Sequence, residues 1–279
     1  MAVDELDLAA RAAGPAGRRT RAVAVGGASL WVAEQGDGPP ILLLMGLGGN
    51  VELWAPVERE LGGRRTIAFD VPGTGRSPAP LVPPGVPGIA RLAVALLDEL
   101  GHDEVDVLGF SFGGAVAQQL AYRAPRRVRR LVLVSTNCGL WSVPAAVPPL
   151  AVLANPWLAP LTFGSTVLAR WVHGGEQQSE AMRTVHRNPP SAVGYLHQLF
   201  AMATWTSAPW LERIVAPTLV VAGDDDPLVP LANAHVLASR IPHAELHVVR
   251  GGGHLALLDD VESVMVPVRR FLGGPASPA

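Results

Sequence analysis

The 279-residue chain contains no lysine; all 22 of its basic residues are arginine. That absence removes one chemistry at once, because a phosphate-cradling Gly-Lys-Ser/Thr loop needs an amine that no position supplies. Cysteine is almost as scarce. The single Cys138 excludes an internal disulfide and a cysteine-rich metal site, fits a reducing compartment, and is expected as a small buried hydrophobe. Charge is thin too, at 16% of residues with a formal net charge of −2, so no strong field draws nucleic acid. The densest basic run, RRVRR from Arg126 to Arg130, is expected as a solvated loop between a helix and a strand. The N-terminus, MAVDELDLAARAAG, starts acidic and has no apolar h-region, so a cytoplasmic protein without a secretory signal is expected.

Charge is missing altogether from Leu131 to Ala169, a stretch long enough to raise the question of a membrane span. Pro144, Pro148, Pro149, Pro156 and Pro160 interrupt it, and a helix broken that often leaves backbone groups unpaired in lipid. No span is expected. Elsewhere the hydrophobic runs are short. ASLWVAE, ILLLM, TIAFD, VDVLG, LVLVS, TLVVAG and AELHVV read as strands, mostly buried on both faces. Helical patterns lie between them near residues 51–61, 88–100, 112–123, 231–240 and 261–272. The alternation predicts an α/β fold with a mostly parallel, doubly wound sheet.

The pattern breaks between residues 136 and 215, where Pro-rich and Trp-rich helical pieces replace it. Five of the seven tryptophans fall there: Trp141, Trp157, Trp171, Trp205 and Trp210. We read 136–215 as a helical lid inserted after the sixth strand, on a core formed by 21–135 and 216–272, with 1–20 and 273–279 as flexible tails. A Trp-rich lid, uncharged from residue 136 to residue 169, suits an acyl chain or an apolar polymer better than a sugar or nucleotide. Trp141, Trp157, Trp205 and Trp210 are candidate substrate contacts, some of which are needed only as lid core.

The stretch LGFSFGGAVAQQL carries the chemistry. Gly109-Phe110-Ser111-Phe112-Gly113 fits the G-x-S-x-G elbow between a strand and a helix, a turn that holds a serine hydroxyl proud of the sheet. Side chains at Gly109 and Gly113 would crowd the neighbouring elements. The competing reading is a helix N-cap serine followed by glycines. A serine nucleophile needs a base and an acid, and both follow in the order Ser, Asp, His. His254 stands in RGGGHLALL after one strand, and Asp224, Asp225 and Asp226 stand after another. Asp226 is favoured because it lies furthest into the loop, before Pro227, with Asp224 and Asp225 as alternatives. The acidic run lacks the spacing of a calcium loop, so no metal is expected. Met45-Gly46-Leu47-Gly48-Gly49 offers the Leu47 N–H as an oxyanion donor beside that of Phe112.

From about Ala28 to Leu272 the chain resembles the α/β-hydrolase superfamily, on Ser111, Asp226, His254 and FDVPGTGRS. Within it the chain is similar to the intracellular medium-chain-length polyhydroxyalkanoate depolymerases, on NVELWAPV, IAFDVPGTG, GYLHQLFAMATWTSAPWL, PTLVVAGDDDPLVPLANA and RIPHAELHVV. The resemblance implies a serine esterase that cleaves storage polyesters of 3-hydroxyacids at a granule surface with no cofactor, its nucleophile, acid and base matching Ser111, Asp226 and His254. Two positions depart from that family: Phe112 stands where Trp is usual and Met45 where Asn is usual. Alternative readings are a small-molecule carboxylesterase or lactonase, a C–C bond hydrolase, and a non-catalytic binding protein on the same fold.

Overall fold

The computed structural model describes residues 17–145, 151–152 and 188–273. Its centre is a sheet in the order β1-β2-β4-β3-β5-β6-β7-β8. The strands are β1 (Arg19–Val25), β2 (Ala28–Gln35), β3 (Pro40–Leu44), β4 (Arg65–Phe69), β5 (Val105–Phe110), β6 (Val128–Val134), β7 (Thr218–Gly223) and β8 (Ala244–Val249). The β1–β2 and β2–β4 pairs are antiparallel and the remaining pairs parallel. Every residue of β5 and β7 is buried, which is why those strands read as near-continuous apolar runs, broken in β5 by Asp106, rather than as alternating ones.

Helices cover both faces. On one lie α2 (Gly85–Glu99), α3 (Phe112–Arg123) and α5 (Leu231–Arg240), whose Ile89, Leu96, Val116, Leu120 and Leu237 join the core beneath β5 and β6. On the other lie α1 (Ala55–Glu60), α6 (Ala256–Asp259) and α7 (Val261–Gly273). Val264, Met265, Val268 and Leu272 of α7 are spaced to form one apolar stripe, which packs with Trp54 and Val57 against that face. The remaining described helix, α4 (Ala192–Ala203), crosses over the carboxyl ends of the strands. No helix among the described residues is long and apolar enough to cross a membrane.

Two expectations change, and a third falls largely outside the described residues. Residues Arg19 and Thr20, read as tail, begin β1, and Arg18 before them is buried in ion pairs with Glu52 at 2.7 Å and Glu58 at 3.0 Å. The RRVRR run is not a solvated loop. Its last three residues start β6, where Arg129 grips the fully buried Asp106 carboxylate at 2.7 and 2.9 Å and Arg64 reaches the same group; Arg127 pairs with Asp98. The charges neutralise a buried acid at the amino end of β5. Much of the expected lid, with Trp157 and Trp171, lies outside the described residues. Its described parts are α4, a 3-10 turn at Ala208–Arg213 and an isolated antiparallel bridge between Gly139 and Thr206.

Candidate active site

The carboxyl ends of β3, β5, β7 and β8 open on one edge of the sheet, and four loops meet there. Ser111 leaves β5 with φ 51 and ψ −116, a conformation rarely adopted by residues other than glycine, and caps α3 without any side-chain capping bond. Its hydroxyl points elsewhere. The Oγ lies 2.9 Å from His254 Nε2, and His254 Nδ1 lies 2.8 Å from Asp226 Oδ2. The N-cap reading is therefore set aside.

The glycines make this turn possible. A Cβ at Gly113 would stand 1.9 Å from the Leu44 carbonyl oxygen, and one at Gly109 would stand 2.5 Å from that of Gly113. Helix α3 thus rests directly on the end of β3, with backbone tension held at Ser111 by bonds from the Ser111 N–H to Val134 and from the Thr136 hydroxyl to the Ser111 carbonyl.

The three adjacent aspartates divide their tasks. Asp226 is buried; its Oδ1 accepts the N–H groups of Leu228 and Val229 at 2.9 and 2.8 Å, which turns Oδ2 toward the imidazole. Asp224 is exposed and takes the Gly251 N–H at 2.6 Å, while the Asp225 N–H donates to Gly252. These bonds clamp the β7 loop to the histidine loop. The close approach explains Gly223, where a Cβ would fall 1.9 Å from the Gly252 oxygen. His254, 5% exposed, is further held by the Phe110 ring at 5.5 Å between centroids.

Beside Ser111 is the Gly46–Gly49 turn, closed by the Gly49 N–H donating to the Gly46 carbonyl at 3.1 Å, with Gly48 at φ +70. Leu47 lines the same cavity as Ser111 and Phe112. Phe112 is the first residue of α3, so its N–H belongs to the helix turn that has no intrahelical acceptor. Behind the turn, the buried Asp70 carboxylate receives the N–H groups of Val51 at 2.7 Å and Arg76 at 2.8 Å. Burial pushes its pKa up to about 6, against those two donors.

The cavity in front of Ser111 and His254 has a volume of about 740 Å³ and an almost wholly apolar wall, including Met45, Phe112, Leu199, Phe200 and Trp205. Met45 and Phe112, the two departures from the family pattern, therefore both form its lining. Of the tryptophans expected in the lid, Trp205 is the one among the described residues that reaches it; its Nε1–H is held by Gln119 Oε1 at 2.9 Å. Trp210 does not. It stacks on Tyr122 at 4.3 Å and meets the edge of Trp205, so it is packing rather than a substrate contact. Trp141 is 73% exposed and lies off the cavity wall, and Trp157 lies outside the described residues. Tyr195 and Gln198 on α4 are not marked by the sequence reading, although their stretch, GYLHQLFAMATW, carries part of the family likeness. Tyr195 lines the cavity, and burial pushes its phenol pKa upward.

A family model described as the alpha/beta hydrolase fold matches residues 39–261, which includes every residue of this site. The chain belongs to the α/β-hydrolase family. This α/β hydrolase is 40% identical over 247 residues to a poly(3-hydroxyalkanoate) depolymerase of Ectopseudomonas oleovorans, covering 84% of each chain. It is 28% identical over 220 residues to 3-oxoadipate enol-lactonase 2 of Acinetobacter baylyi, covering 77% of this chain and 82% of that one. Among solved structures, an esterase from Exiguobacterium antarcticum superposes with a TM-score of 0.81 at 21% identity, over 91% of this hydrolase and 99% of the other chain. That last likeness is one of fold.

Proposed function

We propose that this α/β hydrolase is a serine esterase acting on medium-chain-length poly(3-hydroxyalkanoate), releasing 3-hydroxyacid monomers or oligomers through an acyl-enzyme. The observation that carries the reading is the unbroken Ser111–His254–Asp226 relay opening on an apolar cavity. The likeness to a named depolymerase supports the choice of polymer.

In the first half-reaction Ser111 Oγ attacks the ester carbonyl carbon while His254 Nε2 accepts the hydroxyl proton. Asp226 Oδ2 keeps the Nδ1 proton in place and stabilises the imidazolium. The carbonyl oxygen gains the negative charge, which the N–H groups of Phe112 and Leu47 receive. When the C–O bond breaks, His254 returns the proton to the departing 3-hydroxyl, and Ser111 carries the acyl group. Water then attacks that ester with the same proton path, freeing the acid and restoring the serine. Apolar walls at Met45, Phe112 and Trp205 accommodate the alkyl side chain of the monomer. A storage-granule surface is the corresponding partner, with the protein in the cytoplasm.

The test is hydrolysis of p-nitrophenyl esters from acetate to dodecanoate by the parent and by Ser111→Ala. The parent should favour chains near octanoate, and the variant should be inactive on all of them. Full activity in Ser111→Ala would reject the mechanism, and a preference for acetate would move the substrate to a small ester or lactone.

A further inference from the structure

Helix α4 reaches the turn beside Ser111 through one buried amide. The Oε1 of Gln198, a residue only 2% exposed, accepts the Gly48 N–H at 2.8 Å from 150 positions away in sequence. Gly48 is third in the Gly46–Gly49 turn, and its positive φ marks a type II arrangement, with the central Leu47–Gly48 peptide flipped relative to a type I turn. Glycine makes either orientation accessible, so the local sequence does not choose between them. Gln198 does choose. In the observed orientation its oxygen meets an N–H; in the flipped one it would meet the Leu47 carbonyl oxygen and repel it.

Two more features show how firmly the contact is built. The helix is pinned at its start, where both the N–H and the hydroxyl of Ser191 donate to the Gly73 carbonyl at 3.0 and 3.1 Å and Asn50 Nδ2 donates to Asn188 at 3.0 Å. A Cβ at Gly194 would fall 2.1 Å from the Gly73 oxygen, so the helix sits on that loop backbone to backbone. Meanwhile Gln198 Nε2 is buried and has no hydrogen-bond partner among the described residues.

We infer that Gln198 is a positioning residue for the oxyanion turn: by holding the Leu47–Gly48 peptide it braces the Gly46–Gly49 turn, and with it the adjoining Gly46–Leu47 peptide that carries the Leu47 N–H, and it makes α4 part of the catalytic frame. The inference rests on the serine-esterase reading above. It goes beyond it in assigning the lid helix a part in the rate as well as in substrate binding.

The experiment compares the parent with Gln198→Leu, which keeps bulk and removes the acceptor, and Gln198→Asn, which keeps the amide and lacks its reach. Hydrolysis of p-nitrophenyl octanoate and inhibition by an octanoate-derived trifluoromethyl ketone, which forms a tetrahedral oxyanion on the serine, are measured together. Misplacing a donor this close to the reacting centre should lower kcat about 100-fold. KM should stay within about twofold, and ketone affinity should fall in parallel with kcat/KM. A folded variant of either kind with kcat within about threefold of the parent, or with raised KM and unchanged ketone affinity, would overturn the inference. The Asn variant carries the test if the Leu variant does not fold. Ser111→Ala separates the two levels: if it is inactive and the Gln198 variants are normal, only the positioning role falls, whereas an active Ser111→Ala removes the reading beneath it.

Discussion

His254 Nε2 stands 2.9 Å from Ser111 Oγ although 143 residues separate them in the chain. The distance depends on two parallel strands, β5 and β8, delivering their loops to the same edge of the sheet, and on a turn at Ser111 that forgoes helix capping. Among the described residues His254 is the acceptor this hydroxyl meets, and the groups that hold that imidazole are the sharpest probe of the arrangement.

Replacing Asp226 by Asn should lower turnover about 10⁴-fold, because the amide presents the wrong group to Nδ1 and fixes the wrong tautomer. Its Oδ1 can still take the Leu228 and Val229 N–H groups, so the thermal midpoint should move little. Asp224→Asn, where the exposed carboxylate takes the Gly251 N–H, should keep kcat within about threefold, a loop-level effect. Steady-state kinetics on one soluble ester distinguishes the two, and a reversed order would transfer the acid to Asp224.

Gly113→Ala should disable the enzyme without touching a polar group. The new methyl has nowhere to go but into the Leu44 carbonyl, 1.9 Å away, so α3 must lift from β3 and carry the Phe112 N–H with it. Loss of activity together with a thermal midpoint lowered by several degrees, of the order of 1–3 kcal/mol for overpacking, is the expected pair of results. An alanine variant of parental activity would contradict the contact.

Asp70 predicts a pH dependence of stability. Its pKa rises from 3.8 in the unfolded chain to about 6 in the fold, so between those values the native state binds more protons than the unfolded one. Stability from this group therefore increases as pH falls from about 6 to about 4, and the burial of the ionised form costs of the order of 3 kcal/mol above that window. Denaturant unfolding of the parent and Asp70→Asn across pH 4–7 should show the parent gaining on the variant toward the acid end. Parallel curves would mean that Asp70 does not titrate there.

Trp205 and Trp210 should separate by function. Trp205→Ala enlarges the cavity and should shift chain-length preference upward while destabilising the fold by about 3–5 kcal/mol. Trp210→Ala should reduce stability and leave the preference unchanged, since its ring stacks on Tyr122 away from the cavity. Selectivity ratios from the p-nitrophenyl ester series decide between them.

Much of this is legible in the sequence alone. The helices at residues 112–123 and 231–240 and the strands at 218–223 and 244–249 match their sequence patterns, because short apolar, β-branched runs bounded by turn residues stand out from the helical stretches between them. Strand β1 was not legible: it is an edge strand whose first four residues are exposed or half-exposed, so only Val23 and Val25 carry an inward signal. The role of RRVRR was missed because its counterion, Asp106, lies a strand away and looks like an ordinary polar position in VDVLG. Ser111, Asp226 and His254 come together from chain order and loop placement. Gln198 could not be read from sequence, since a glutamine on an apolar helix shows its meaning only when the glycine turn it touches is in place.

The most direct test of the proposed activity is clearing of a poly(3-hydroxyoctanoate) latex, followed by turbidity, with purified parent and Ser111→Ala. The parent should clear the suspension and release 3-hydroxyoctanoate or its oligomers, while the variant leaves it turbid. An untouched latex beside rapid hydrolysis of short soluble esters would contradict the polymer assignment and leave a small-ester or lactone hydrolase built on the same three residues.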